Sequence, residues 1–351
     1  MKQVPYARLH KVGTANPETF YTQEEVLAWS GEKNSKIQNL FLNSHIKTRA
    51  LYLPELVDGL PPEETHQSLL DRHLNGALDI GSQAINKALE AANLKVEDID
   101  FMVCTTSTGF LCPSLTAYLI QHLKFKKNIR RMDIAGMGCN AAINGLQAVS
   151  AISSAMPGKN GLLVCIEICS AAYVLNQNLS TAVVNSLFGD GASAVVIRAD
   201  SSDTWESGPA VLDFEPLIIT DSIGAMRYQL EGSRLSFFLE KNIPYVIGEN
   251  APIPIGNLLG RHGLKKEDIK HWVLHSGGKK VIDSIVENLQ LPEDSVRHTR
   301  HILQKYGNVS SSAVVFALGE LFKENIAKEG DYGVMMAMGP GSSIETTLLK
   351  W

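Results

Sequence analysis

The sequence has 351 residues, room for roughly two domains or one large duplicated one. Apolar residues make up 44% and charged residues 20%, which excludes a disordered chain, a collagen-like repeat and a coiled coil. With 32 Lys+Arg against 37 Asp+Glu the net charge is −5, and no Lys/Arg block stands out, which argues against a nucleic-acid backbone binder. No apolar run reaches the roughly 18 residues of a membrane helix. The best stretch, residues 161–175, is interrupted by Glu167. The N-terminus MKQVPYARLHKVG lacks the apolar core of a signal peptide, and five cysteines without a CxxC pair make no disulfide scaffold. A reduced, cytoplasmic chain is expected. No HExxH or CxxC suggests a metal.

The first 75 residues are polar and broken. Thr22, with Glu25 three residues later, predicts a capped short helix within 16–29. A second helix is expected over 32–42. LPELVDGLPPEE (53–64) reads as a loop. In 77–92 the apolar residues Leu78, Ile80, Ala84, Ile85, Ala88 and Leu89 form a helical stripe. Buried strands are predicted at 101–105, 161–166, 192–197, 272–274, 334–338 and 343–349. Strands alternating with helical stretches imply a layered α/β fold.

An internal repeat organises these elements. LKVEDIDFMV (94–103) lies over LKKEDIKHWV (264–273), with six of ten positions identical. GKNGLLVCIE (158–167) lies over GDYGVMMAMG (330–339), and GDGASAVV (189–196) over GPGSSIET (339–346). Three matches in one order suggest two similar halves, residues 1–204 and 205–351, joined by the polar segment SSDTWESGPAV (201–211).

The foremost chemical candidate is Cys139 in DIAGMGCNAAINGLQ. A strand-like DIAG runs into a turn allowed by Gly136 and Gly138, and a helix begins near Asn140. A cysteine at a helix N-terminus is expected to have a lowered pKa, and so to alkylate fastest of the five. Under the repeat, Cys139 falls on Asn308 in KYGNVSSS, and His275 falls on Thr105, the end of the matching strand 101–105. If the halves pack about a pseudo-twofold, Cys139, His275 and Asn308 converge. Cysteine, imidazole and amide together suit nucleophilic acyl chemistry. Singly, each has a plainer reading: a buried packing thiol, a structural histidine, a turn asparagine. Cys104, Cys165 and Cys169 read as core. GPGSS (339–343) lacks the GK[ST] of a Walker loop and reads as a tight turn.

At these residues the sequence resembles the thiolase superfamily and, within it, the type III polyketide synthases. The resemblance runs from about residue 5 to 351, through GMGCNA, SLFGDGASAVV, LHSGGKK, YGNVSS and MGPGSSIE. It implies a layered αβαβα thiolase-like fold of two halves, with Cys139, His275 and Asn308 as the catalytic triad. FLNSHIKTR, TSTGFLCPSL, CSAAY, TAVVNSLFGDG, AMRY and VLHSGGKKVIDS are most similar to one bacterial branch, the 3,5-dihydroxyphenylacetyl-CoA synthases. That branch implies malonyl-CoA as starter and extender, four units consumed, cyclisation and loss of water. It also implies CoA release, accessory hydratase- or dehydratase-like partners, and no cofactor beyond the CoA thioesters.

The resemblance assigns further residues. Phe188 and Phe237 match gatekeeper phenylalanines, and Thr106 and Ser107 match starter-pocket residues. Cys112 falls where the family sends a loop across a homodimer interface into the partner's cavity. Cys169 and Ala172 stand where bulkier hydroxyl residues are usual, so the pocket shape is expected to differ. Gly339, Pro340, Gly341, Ser342 and Ser343 match an active-site loop that shapes cyclisation. Of the three basic CoA-phosphate positions of plant members only Lys36 aligns, the others falling on Asn39 and Asn43. Lys47, Arg49, Lys279 and Lys280, with Gly277 and Gly278, are the substitute CoA-binding candidates. Three alternatives stay open: a ketoacyl synthase III-type enzyme condensing once from a carrier protein, an alkylresorcinol or pyrone synthase with another acyl starter, and a silent scaffold.

Overall fold

The computed structural model of the protein describes residues 5–29, 31–172, 184–199, 208–231 and 234–351. The expected boundary at 204/205 and most of the polar connection (201–207) lie outside the described residues. The first half contributes β1 (Ala7–Ala15), β2 (Phe20–Thr22), α1 (Gln23–Trp29), α2 (Ser35–Leu42), β3 (Thr48–Ala50) and α3 (His66–Ala91). There follow β4 (Ile99–Thr106), α4 (Leu115–Leu123), β5 (Arg130–Ala135), α5 (Ala141–Ala155), β6 (Asn160–Glu167), α6 (Cys169–Ala172) and β7 (Gly191–Ala199). The second half contributes β8 (Ala210–Ile218), the hairpin β9 (Met226–Glu231) and β10 (Arg234–Leu239), α7 (Ile243–Asn250), α8 (Pro252–Arg261) and β11 (Ile269–Leu274). It ends with α9 (Lys279–Leu289), α10 (Arg297–Tyr306), α11 (Ser312–Glu324), β12 (Tyr332–Gly339) and β13 (Ser343–Lys350).

Local signals hold where the chemistry is local. Thr22 and Glu25 cap α1 reciprocally, the Glu25 carboxylate accepting the Thr22 N–H at 2.7 Å and the Thr22 hydroxyl accepting the Glu25 N–H at 3.1 Å. Helix α2 starts later than expected because the Asn34 side chain caps it, accepting from the Lys36 N–H. Helix α3 starts earlier, at His66. Its first turns bury Arg72 through hydrogen bonds to Glu64, Tyr52 and Ser170, so no apolar stripe reports them.

The nine main strands run β11-β12-β13-β8-β1-β7-β6-β4-β5. The β4–β6 and β11–β12 pairs are parallel, and β6–β7 and β12–β13 antiparallel, so the two halves repeat one arrangement. They meet at the single Arg8–Ala210 register pair of β1 and β8. The LKxEDI repeat is visible as structure. Asp98 accepts the Lys95 N–H ahead of β4 as Asp268 accepts the Lys265 N–H ahead of β11.

Alternation along each strand sorts side chains into separate cores. Leu162, Val164 and Ile166 of β6 face α3 and α4, while Leu163 and Cys165 face a middle layer. Val334, Met336 and Met338 of β12 face the layer of α7, α8 and α9, while Met335 and Ala337 face the middle. The middle layer is α5 and α11, clamped between both halves of the sheet. The result is the expected αβαβα layering. Strand β1 went unread in the polar N-terminal stretch. Its residues 7–15 pair along β7, and Arg8 is 8% exposed, donating to the Gly208 carbonyl. Tertiary pairing, not apolar content, makes it a central strand.

Candidate active site

Cys139 sits where the sequence placed it, between β5 and α5. Gly136 (φ 78°) and Gly138 (φ 73°) turn the chain through the left-handed region, and a 3₁₀ turn over Gly138–Asn140 leads into the helix. At Gly138 a Cβ would stand 2.2 Å from Cδ of Pro340, so only glycine fits beneath that ring. The Gly138 N–H donates to the Ser107 hydroxyl at 2.7 Å, and the Asn140 amide donates to the Ser343 hydroxyl at 2.6 Å. The 339–343 loop thus braces the Cys139 turn. Ser343 also donates to the Pro340 carbonyl, and Ser342 donates to the Ser222 carbonyl at 2.6 Å.

Asn308 reaches the thiol from the other half. A parallel bridge ties Asn308 to Phe188, with the Asn308 N–H on the Leu187 carbonyl at 2.8 Å and the Gly189 N–H on the Asn308 carbonyl at 3.0 Å. The Ser310 N–H occupies Oδ1 of Asn308 at 2.9 Å, which fixes the amide orientation. Its Nδ2 therefore faces Cys139 Sγ, donating at 3.9 Å. The thiol itself donates to the Ser310 hydroxyl at 3.7 Å. His275 follows β11, its N–H on the Met336 carbonyl, and is 1% exposed with Nδ1 unpartnered. The end of β12 reaches both the His275 and the Cys139 segments: a Cβ on Gly277 would meet the His275 ring at 3.2 Å and Met338 Sδ at 3.5 Å, and Pro340 covers Gly138.

Burial dominates the electrostatics. It pushes the Cys139 thiol up to about 12, against the hydrogen bonds from Ser310 and Asn308, and holds the His275 imidazole down to about 3. The expected low-pKa thiolate is therefore corrected. Desolvation outweighs the helix N-terminus, the resting pair is neutral, and the exposed Cys112 has the readier access to an alkylating reagent. Glu167, read in the sequence only as an interruption of an apolar run, is fully buried at the end of β6. It accepts from the Ser107 N–H (3.0 Å) and the Ser311 hydroxyl (2.5 Å). Burial raises its carboxyl to about 7. A lone carboxylate inside a buried strand was the signal available for it.

An aromatic wall lies in the same buried cluster as the thiol. Phe188 and Phe237 meet edge to face at 5.8 Å, and Tyr228, the last residue of the AMRY stretch, meets Phe237 at 5.3 Å. Cys139, Cys169, Phe188 and Phe237 belong to one buried cluster. Ala172 is buried nearby in the chain on α6. Thr106 ends β4 and Ser107 follows it, held to the Cys139 turn through the Gly138 N–H; Thr106 is half-buried with its hydroxyl 3.5 Å from that of Thr108. Cys112 is exposed in the β4–α4 loop, close in sequence to the exposed Phe110.

The CoA-binding candidates divide. Lys36, Lys47, Lys279 and Lys280 are exposed, and Gly278 precedes α9 with φ 140°. Lys279 pairs with Asp283 at 2.7 Å in a groove of about 370 Å³ where Asp283, Glu287 and Glu293 outnumber Lys279 and Arg300. Arg49 is a correction: it is 2% exposed and no surface anion reaches it. Its Nη1 donates to the Asn185 and Phe188 carbonyls at 2.6 and 2.8 Å, making it a strut beneath the aromatic wall. Among the described residues no cluster of three or more His, Cys, Asp or Glu is suited to a metal, and no helix is long and apolar enough to cross a membrane.

Comparison with known proteins fits this geometry. Residues 10–212 match the family described as FAE1/Type III polyketide synthase-like protein, and residues 215–351 match the chalcone and stilbene synthases, C-terminal domain. The chain is 44% identical to a 3,5-dihydroxyphenylacetyl-CoA synthase of Streptomyces toyocaensis, covering 99% of this chain and 90% of the relative. It is 46% identical to that of Amycolatopsis orientalis, covering 98% and 93%. Among solved structures, PKS-I from the brown alga Ectocarpus siliculosus superposes with a TM-score of 0.91 at 27% identity, over 99% of each chain. The 1,3,6,8-tetrahydroxynaphthalene synthase of Streptomyces coelicolor A3(2) gives 0.88 at 26% identity, over 98% of this chain and 99% of that one. Sequence matches that run through both halves and folds that superpose end to end agree on one assignment: the chain belongs to the type III polyketide synthases, the malonyl-CoA-condensing acyltransferases.

Proposed function

We propose that this chain makes a 3,5-dihydroxyphenylacetyl-CoA-type ester from malonyl-CoA alone, with Cys139 as nucleophile and His275 and Asn308 as its partners. The observation that carries the assignment of roles is the Asn308 amide, oriented by Ser310 and aimed at Cys139 Sγ at 3.9 Å. The Cys139 proton passes to the neutral His275 ring as the sulfur attacks the malonyl-CoA thioester. CoA leaves as a thiolate and takes that proton from the imidazolium. A second malonyl-CoA loses carbon dioxide, and its enolate oxygen is held by the His275 N–H and the Asn308 amide. The enolate carbon attacks the acyl-Cys139 carbonyl, and collapse expels the Cys139 thiolate, leaving the lengthened chain on CoA. Reloading repeats the cycle. Four malonyl-CoA then yield one aromatic CoA ester, three CoA, four carbon dioxide and one water, a balance that needs no oxidant.

The protein works as a cytoplasmic homodimer, with the loop around Cys112 crossing to the partner's cavity. Lys36, Lys47, Lys279 and Lys280 hold CoA at the mouth, Phe188 and Phe237 gate the cavity, and hydratase- or dehydratase-like enzymes complete aromatisation. The two halves divide near 204/205. The 44–46% identity to dihydroxyphenylacetyl-CoA synthases supports this substrate reading over a carrier-protein or fatty-acyl one. The test is incubation of purified protein with malonyl-CoA alone, with products identified by mass spectrometry. A dihydroxyphenylacetyl product or its unaromatised CoA-bound precursor, absent with Cys139→Ala, is expected. No product from malonyl-CoA refutes the substrate reading.

A further inference from the structure

Arg72 lies in the second turn of α3, 8% exposed, and each N–H of its guanidinium has an acceptor. Nε and Nη2 grip the Glu64 carboxylate at 2.8 and 2.7 Å. Nη1 donates to the Tyr52 carbonyl at 2.7 Å and to the Ser170 hydroxyl at 2.9 Å. Nη2 also donates to the Ser170 carbonyl at 2.9 Å. Asp190, fully buried just ahead of β7, completes the clasp. Its carboxylate accepts the Ser170 N–H at 2.8 Å, the Ser170 hydroxyl at 2.6 Å and the Tyr52 N–H at 2.6 Å. The N–H, carbonyl and hydroxyl of Ser170 are thus all held between two charges. Burial raises the Asp190 carboxyl, against these hydrogen bonds and the Arg72 charge.

Both sides of the clasp lead to the candidate site. Ser170 follows Cys169, which shares a buried cluster with Cys139. Asp190 follows Gly189, whose N–H donates to the Asn308 carbonyl at 3.0 Å. The backbone of Asp190 is itself fixed, its N–H on the Ala50 carbonyl at 2.9 Å and its carbonyl accepting from the Asn16 amide at 2.8 Å. From Asn308 the side-chain amide reaches Cys139 Sγ at 3.9 Å. Hydrogen bonds and single chain steps therefore run from Arg72 to the thiol without a gap. A buried ion pair adds little stability over apolar side chains of the same shape. What a fully bonded guanidinium adds is direction, because its planar fork fixes five donors at once.

We propose that Arg72, with Glu64 as its counter-ion, is a positioning residue for the condensation. It fixes Ser170 and Asp190, and through the Gly189–Asn308 bond it keeps the Asn308 amide aimed at Cys139. The role rests on the reading of Cys139 and Asn308 given above, and the clasp itself is tested without turnover as well.

Two measurements on the full chain test it, with wild type, Arg72→Met, Arg72→Lys, Glu64→Gln, Asn308→Ala and the Arg72→Met/Asn308→Ala double variant. The first is steady-state turnover of malonyl-CoA. Arg72→Met is expected to lower kcat about tenfold or more, with KM within about twofold of wild type. Lysine keeps the charge but not the fork, so Arg72→Lys is expected to stay impaired, with Glu64→Gln between it and wild type. On the Asn308→Ala background Arg72→Met is expected to cost less than about twofold more, because the clasp acts through that amide. The second is hydrogen exchange read by mass spectrometry, where the Gly189 and Ser170 amides are expected to exchange at least about tenfold faster in Arg72→Met and Arg72→Lys. Wild-type kcat in a variant with native circular dichroism, fully additive losses in the double variant, or unchanged exchange at Gly189 each overturns the proposal. Wild type that forms no product, or Asn308→Ala with wild-type kcat, overturns the reading of the site instead, and the exchange at Gly189 then decides the clasp alone.

Discussion

Arg49→Met separates a strut from a stabilising ion. Two buried carbonyls, those of Asn185 and Phe188, lose a charged donor, worth about 1.5–3 kcal/mol each. Against this, Nε and Nη2 of Arg49 have no partner, and burial lowers the guanidinium well below its ordinary value, to about 9. That fall corresponds to about 5 kcal/mol returned when the charge is removed. The two effects nearly cancel. Asp190, the nearby buried carboxylate, keeps the Tyr52 N–H, the Ser170 N–H and the Ser170 hydroxyl. The variant is thus expected to fold, with urea unfolding within about 2 kcal/mol of wild type, in the manner of other buried charges replaced by apolar side chains. Function is a different matter. The Arg49 stem packs against Gly307, its Cγ and Cδ 3.0 Å from where a Cβ there would sit, and its Nη1 anchors Phe188. Both ends of the Phe188–Asn308 bridge lose support, so malonyl-CoA turnover should drop at least about tenfold, the sensitivity of catalysis to ångström-scale displacement. Full turnover in a folded Arg49→Met protein would refute the strut. A loss beyond about 2 kcal/mol would refute the cancellation.

Asn308→Ala should lower the condensation rate about 10²–10³-fold, the effect of removing one oxyanion donor, with little change in KM. An unchanged kcat in steady-state assays would remove Asn308 from the chemistry. His275→Asn isolates one titration. The folded pKa of about 3 lies below the ordinary 6.5, so the unfolded chain binds a proton that the native state refuses as pH falls from 6.5 towards 3. Stability is whole above pH 6.5 and is lost on acidification, by about 2 kcal/mol at pH 5 from this group. Urea unfolding at pH 8 and pH 5 should show the variant spared that loss, and parallel profiles would contradict it. Glu167 works in the opposite direction, since its raised pKa favours the native state at low pH, and it is common to both proteins.

Legibility followed the range of the interaction involved. The Thr22–Glu25 capping box, the 77–92 stripe and the LKxEDI repeat are settled by residues a few positions apart, and the structure reproduces them. Strand β1 failed because its alternation carries Arg8, His10 and Lys11, and only pairing with β7 across 177–192 residues makes it central. Long range likewise separates Tyr228 from its partner Ser107, 121 residues away, and gave Arg49 a surface role that burial denies. Family likeness transferred residue types to positions, but it carried no information on exposure.

The sequence by itself determined the duplicated α/β plan, the glycine turn that presents Cys139, and the three residues expected to meet. Periodicity, glycine placement and internal similarity are written in the order of residues. The tertiary structure alone decided which way each ionisable group titrates. A cysteine at a helix start reads as activated, yet enclosure by both halves pushes it up to about 12 and His275 down to about 3. Desolvation depends on everything that surrounds a group, and both side chains that hydrogen-bond the Cys139 thiol, Asn308 and Ser310, come from the other half of the chain.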